Sequence, residues 1–159
     1  MQFTVPPPAA RSPDEGICAP PMVPRILGHL WNAPNTIVGL CFGLGGSFRL
    51  DPTAGVVVVR GGWMAGIFGC LGYAAMCVGD VVIEAMPLDA ATMRHELAHA
   101  HQGRVLGPLY LPLTLLGYAI GFLRCPSLAH DASPLEIDAD RRSGNAHGNR
   151  WLARRNARP

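Results

Sequence analysis

Residues 95–99 read His-Glu-Leu-Ala-His. On a helix, positions i and i+4 share a face, so His95 and His99 aim two imidazoles at one point. Glu96 sets a carboxylate beside that point. Two nitrogen donors and a neighbouring carboxylate suit a divalent cation such as Zn²⁺, the carboxylate being able to take a proton from water. Catalytic zinc keeps three protein ligands and one open position, so a third donor must come from elsewhere. Residues 136–140 read Glu-Ile-Asp-Ala-Asp, and Glu136 and Asp140 are again four apart. Glu136 is the candidate third ligand. Asp140 is the candidate acceptor for the spare N–H of a ligating imidazole, a contact that fixes its tautomer. His130, next to Asp131 in a loop before that segment, is a candidate accessory group that protonates a leaving group or stabilises an oxyanion. His101 lies two residues past His99 and faces elsewhere on the helix, where a surface position is expected. His29 and His147 fall in turn-rich segments and carry no assigned role.

These side chains converge only if two helices present them. Asp89 is a plausible N-cap, Ala90–Arg104 is rich in helix formers, and Gly103 and Gly107 mark the end. The motif therefore sits mid-helix. Ser133-Pro134 starts a second helical stretch, Leu135–Ser143, carrying Glu136, Asp138 and Asp140. Upstream, Ser47–Leu50 and Val56–Arg60 flank the turn Asp51-Pro52-Thr53-Ala54-Gly55 and read as a β-hairpin ended by Gly61-Gly62. A further extended segment is expected around Tyr73–Met86. Its β-branched end, Val81–Ala85, precedes the motif helix and is expected to offer an open edge to an extended peptide substrate. Asn32, Pro34 and Asn35 are turn signals, after which Thr36–Leu44 reads as a short buried helix turn or strand.

Val105–Leu123 is uncharged and long enough to be weighed as a membrane span. Pro108, Pro112, Gly107, Gly117 and Gly121 make it a poor straight helix. A single crossing there would also put His95 and His99 on one side and Glu136 on the other. Arg94, Gln102 and Arg104 flank the motif, and arginine inside a bilayer is expensive. The expected arrangement is an apolar segment folded back over the core or in contact with a membrane. Gly61–Gly79 is a weaker candidate span.

The chain has 159 residues, the length of one ordinary domain. Apolar residues make up 49% of it, enough for a core. The net charge is +2, and all 13 basic residues are arginine. Arg141, Arg142, Arg150, Arg154, Arg155 and Arg158 cluster near the end, with no aromatic-plus-basic motif beside them, so no nucleic-acid partner is expected. The cysteines (18, 41, 70, 77 and 125) include no C-x-x-C pair and lie mostly in apolar stretches, which suits reduced thiols. The proline-rich start has neither a basic nor an apolar signal region. The expected location is cytoplasmic or membrane-associated. The expected organisation is a disordered arm at 1–24, one domain at 25–143 and a flexible Arg-rich tail at 144–159. The expected fold class is α+β: a small hairpin or sheet on the motif helix and a second ligand-bearing helix, with a Pro/Gly-broken apolar segment between them.

H-E-x-x-H followed some tens of residues later by E-x-x-x-D on a second helix resembles the gluzincin class of zinc metallopeptidases. By residue type, the resemblance implies His95, His99 and Glu136 as zinc ligands, Glu96 as catalytic base and Asp140 as the outer acid. The string His-Glu-Leu-Ala-His-Ala-His-Gln, then Leu-Gly-Pro-Leu-Tyr-Leu-Pro, also resembles a group of small, uncharacterised bacterial proteins over roughly residues 30–140. The implied activity is peptide-bond hydrolysis, with water activated by Zn²⁺ and Glu96. No tyrosine or histidine is picked out by spacing as a transition-state stabiliser. One alternative is a non-catalytic module in which zinc pins two helices. Another is a small membrane-associated protein in which the pattern is incidental.

Overall fold

The structure is a computed structural model and describes residues 22–145 and 148–157, with side chains described from residue 25. Residues 1–21, the bulk of the expected disordered arm, and His147 lie outside the described residues. The fold is α+β.

Strands β1 (Gly46–Asp51) and β2 (Val56–Gly61) form the expected antiparallel hairpin. Asp51 Oδ1 accepts the N–H groups of Thr53 and Ala54, a local carboxylate contact that stabilises the turn. The second extended segment is two strands, β3 (Ala75–Val78) and β4 (Val81–Glu84), paired antiparallel around a tight turn at Gly79. β4 also pairs in parallel with β2, so the strand order is β1-β2-β4-β3. Val81–Ala85 is therefore not an open edge: β4 is an inner strand hydrogen-bonded on both sides, and the edge nearest the motif helix belongs to β3. All four β4 residues are buried.

The sheet has an apolar layer on each face. Val56, Val58, Cys77 and Val82 face Ala100, Met93 and Leu97 of helix α3 (Ala90–Leu106). Val59, Val81 and Ile83 face Phe42 of α1 (Met22–Phe42) and Ala65 of α2 (Trp63–Cys70). α1 corrects a second expectation. It is one helix running through Asn32, Pro34 and Asn35, not a turn followed by a short run. The turn-forming side chains are used for tertiary bonding instead. Asn35 Nδ2 donates to Gly107 O at 2.7 Å and to Asn32 Oδ1 at 2.9 Å, and both asparagines are buried. His29, expected to have no role, pairs with Asp80 at 2.7 Å, and Arg104 meets the same carboxylate at 2.8 Å.

Asp89 caps α3 by accepting from Thr92 N at 2.7 Å, and Gly107 ends it with φ 56°. The apolar segment then forms α4 (Tyr110–Arg124) despite Pro112, Gly117 and Gly121. Pro112 falls in the first turn, where a missing N–H costs nothing. Gly121 packs against the carbonyl of Ala129 so closely that any Cβ would collide with it. This draws the 125–133 loop onto α4 and delivers the chain to α5 (Pro134–Arg142). Ala90–Arg124 is a stretch long and apolar enough to cross a membrane by length and composition, although a core helix passes the same test. α4 alone, at 15 residues, is about 22 Å long, short of the roughly 30 Å hydrocarbon core. The C-terminal stretch also differs from the expected tail. Residues Arg150–Asn156 form α6, capped by Asn149 and anchored by buried Leu152.

Candidate metal centre

α3 presents His95 and His99 to α5, which presents Glu136 and Asp140. His99 Nε2 lies 3.1 Å from His95 Nε2, and each of these nitrogens lies 3.3 Å from Glu136 Oε2. The three atoms form a nearly equilateral triangle. Tetrahedral ligands at zinc distances of about 2.0–2.1 Å lie about 3.3–3.4 Å apart. The triangle therefore has the dimensions of one face of a zinc tetrahedron, and all three expected ligands are brought together.

The hydrogen bonds around the triangle show which way its lone pairs point. Gln102 Nε2 donates to Leu135 O and to Asp138 Oδ2, each at 2.9 Å. That turns Gln102 Oε1 towards His99 Nδ1 at 2.9 Å. His99 must carry its proton on Nδ1 and presents a bare Nε2 when neutral. Asp140 Oδ1 lies 2.9 Å from His95 Nδ1, close enough for an ion pair though not aligned as a hydrogen bond. The nearby negative charge favours the same tautomer on His95. Asp140 is held in turn by Asn149 Nδ2 at 2.6 Å. Two bare imidazole nitrogens and a carboxylate oxygen thus face one another across about 3 Å in a buried setting, an arrangement that repels itself unless a cation or a proton sits between them. The donor set of two imidazoles and one carboxylate fits Zn²⁺.

In the metal-free state, protons take that place. Burial alone would lower the His95 pKa, but its contacts with Asp140 and Glu136 outweigh burial and raise it to about 10. His99 is raised for the same reason, burial being overcome by Glu136. Burial pushes Glu136 up, yet the two histidines hold it well below the usual carboxylate range. Glu96 behaves differently. Burial raises its pKa, the charges of His99 and His95 only partly offset this, and Oε2 has no hydrogen-bond partner among the described residues. It is a buried carboxyl beside the ligands with an unused acceptor, as a proton-transfer group requires.

Three further side chains complete the site. Tyr118 of α4 donates its hydroxyl to Glu136 Oε1 at 2.9 Å. His130 Nε2 lies 3.4 Å from the same oxygen, and its ring packs between those of Tyr118 and Tyr73 with centroids 5.8 and 5.6 Å away. His130, expected as an accessory group, is thus at the site. Tyr118, Tyr73 and Gln102 were not picked out from the sequence. Gln102 had a usable signal, since it lies three residues past His99 on the same helix face; the tyrosines had none before the path of α4 was known. His101 is exposed, as expected. The ligands border a cleft of about 690 Å³ that is also lined by Tyr73–Val78, α1, α2 and α4. No known protein family, curated protein or solved structure matches the chain.

Proposed function

We propose that this protein is a zinc-dependent hydrolase acting on peptide bonds. The reading is carried by the triangle of His95 Nε2, His99 Nε2 and Glu136 Oε2 at 3.1–3.3 Å, with unpartnered Glu96 beside it and a cleft in front. His95, His99 and Glu136 would hold the ion. When bound, Zn²⁺ supplies a Lewis acid that lowers the pKa of water at the open position towards about 7. Glu96, with its free acceptor beside the triangle, would take a proton from the attacking water and return it to the leaving amine nitrogen. Tyr118 donates to the second oxygen of Glu136 and His130 lies beside it, which leaves Oε2 facing the two imidazoles.

Peptide is favoured as substrate by the position of β3. Ala74 O bonds towards β4, receiving Ala85 N at 2.9 Å. By strand alternation, Ala75 and Cys77 turn their main-chain groups away from β4; the Cys77 carbonyl accepts the Tyr110 hydroxyl at 3.5 Å, which leaves Ala75 facing the cleft. An extended peptide can pair there, on the edge that β4 lacks.

The test is Glu96→Gln in the full-length protein. Zinc uptake measured by competition with a chromophoric chelator should stay within about threefold of wild type, while hydrolysis of a mixed peptide library should fall by about 10²–10⁴-fold. Turnover that survives the substitution would remove Glu96 from this role.

A further inference from the structure

The cleft has two unlike walls. One carries Thr92, His95, Glu96, His99 and Glu136. The other is contributed by three elements that hold no metal ligand: Val38 and Phe42 of α1, Phe68 of α2, and Leu111 and Leu115 of α4, with Met76 of β3 at the floor. At about 690 Å³ the space lies within the range of pockets that enclose drug-sized ligands, well above what one side chain occupies. The apolar surface continues past the rim, where Leu115 is 69% exposed and Ile37, Leu40, Ile67 and Leu116 of the same three helices are also exposed. Metal chemistry accounts for none of this. A hydrolase that needed only the ion and a strand edge would not leave so many large apolar side chains facing a water-filled space.

We infer that the cleft takes an extended polypeptide segment bearing several large apolar side chains, so that the substrate class is a hydrophobic, unfolded stretch of protein. This rests on the hydrolase reading above. A polypeptide is assigned, not a lipid chain, because β3 is an edge strand along the same cleft, and strand alternation turns the main-chain groups of Ala75 outward. An acyl chain has no amide groups to pair with them, whereas a strand pairs there and sends alternate side chains onto the apolar wall. Tyr110, Thr114 and Tyr118 are the polar side chains that α4 adds to this wall. All three are already engaged, Tyr110 with Cys77 O, Thr114 with Tyr110 O and Tyr118 with Glu136, so they leave the wall apolar in effect.

The experiment uses full-length, zinc-loaded protein and two labelled hexapeptides, Ala-Phe-Leu-Leu-Phe-Ala and Ala-Ser-Asn-Asn-Ser-Ala. Binding is read by fluorescence anisotropy on the Glu96→Gln variant, where cleavage cannot interfere, and cleavage is read on the wild type. Moving one large apolar side chain out of water changes affinity by about 10–100-fold, so the apolar peptide should bind at least tenfold more tightly and be cleaved with a correspondingly higher kcat/KM. Thr114→Trp, which fills the cleft, should reduce that discrimination without changing zinc uptake; the comparison of the two peptides decides the matter even if this variant does not fold. Zinc uptake and cleavage without preference for the apolar peptide would overturn the inference and leave the hydrolase reading standing. Preferential cleavage of p-nitrophenyl palmitate over both peptides would reassign the cleft to acyl chains. Failure of the wild type to take up zinc would overturn both readings.

Discussion

Gln102 is the residue through which the metal centre can be tested most sharply. Its amide is fixed by two acceptors, Leu135 O and Asp138 Oδ2, and only that orientation turns Oε1 to His99 Nδ1. Gln102→Met keeps the length and approximate volume of a side chain that is 4% exposed, while removing every hydrogen bond it makes. The buried His99 N–H then has no acceptor. The imidazole is free to rotate or to move its proton to Nε2, where it cannot ligate. Loss of such an orienting contact weakens metal binding by about 10–100-fold, or about 1.4–2.7 kcal/mol. The metal-free fold weakens as well, because the amide joins α3 to α5 through one neutral and one charge-assisted hydrogen bond, together about 2–4 kcal/mol. Zinc affinity should therefore be measured by chelator competition at a temperature where circular dichroism shows the variant folded. Asp138→Asn keeps an acceptor for the amide and should stay within about threefold of wild type. The tautomer itself can be read from the imidazole nitrogen shifts in long-range ¹H–¹⁵N spectra. A folded Gln102→Met protein that binds zinc as tightly as wild type would refute the argument that this amide sets the ligand.

Tyr118→Phe removes the hydroxyl on Glu136 Oε1; zinc affinity measured in the same competition assay should fall by about tenfold, and no change would show that His130 alone suffices. The pH dependence follows from His95, whose pKa is raised from 6.5 to about 10 by Asp140 and Glu136 against the opposing effect of burial. An imidazolium favoured by the folded state adds stability that is complete below 6.5 and is lost as pH climbs through about 10. The thermal midpoint of metal-free protein should accordingly drop between pH 7 and pH 10, while zinc-loaded protein, with the proton replaced, should not follow; parallel curves would contradict the assignment. Leu109, Leu113, Phe122 and Leu123 on and beside α4, outside the cleft rim, are exposed, so the protein should float with phosphatidylcholine vesicles in a density gradient, and Phe122→Glu with Leu123→Glu should abolish flotation.

The two i, i+4 pairs were legible because such spacing is a property of a single helix. His95 and His99 share a face at i, i+4 wherever that helix packs, and Glu136 and Asp140 repeat the relation on α5. The edge strand was misplaced for a reason that was itself visible. Val81, Val82 and Ile83 are apolar at consecutive positions, and a strand with no polar alternation is buried on both faces, as parallel-paired inner strands are. In α1 the turn signals were real as side-chain chemistry but wrong as backbone prediction. Asn35 donates its amide both to Asn32 Oδ1 within α1 and to Gly107 O at the end of α3, and tertiary bonding overrides a local preference.

α3 shows why the chemistry was easier to read than the packing. Its buried set comprises Glu96, Ala98, His99, Ala100, Gln102 and Gly103, so half of what it hides is polar, and the apolar stripe it packs on the sheet is only Met93, Leu97 and Ala100. A hydrophobic-periodicity reading finds little there. Burial of Glu96, His99 and Gln102 is tolerable only because each has a partner in the site or a task within it, and an unaided core would have selected leucine at these positions. The face that breaks the burial rule is the face that carries the candidate ligands. It follows that replacing His95 and His99 by leucine should stabilise the metal-free protein only if Glu136 is neutralised with them, since that carboxylate would otherwise remain buried without its cationic partners.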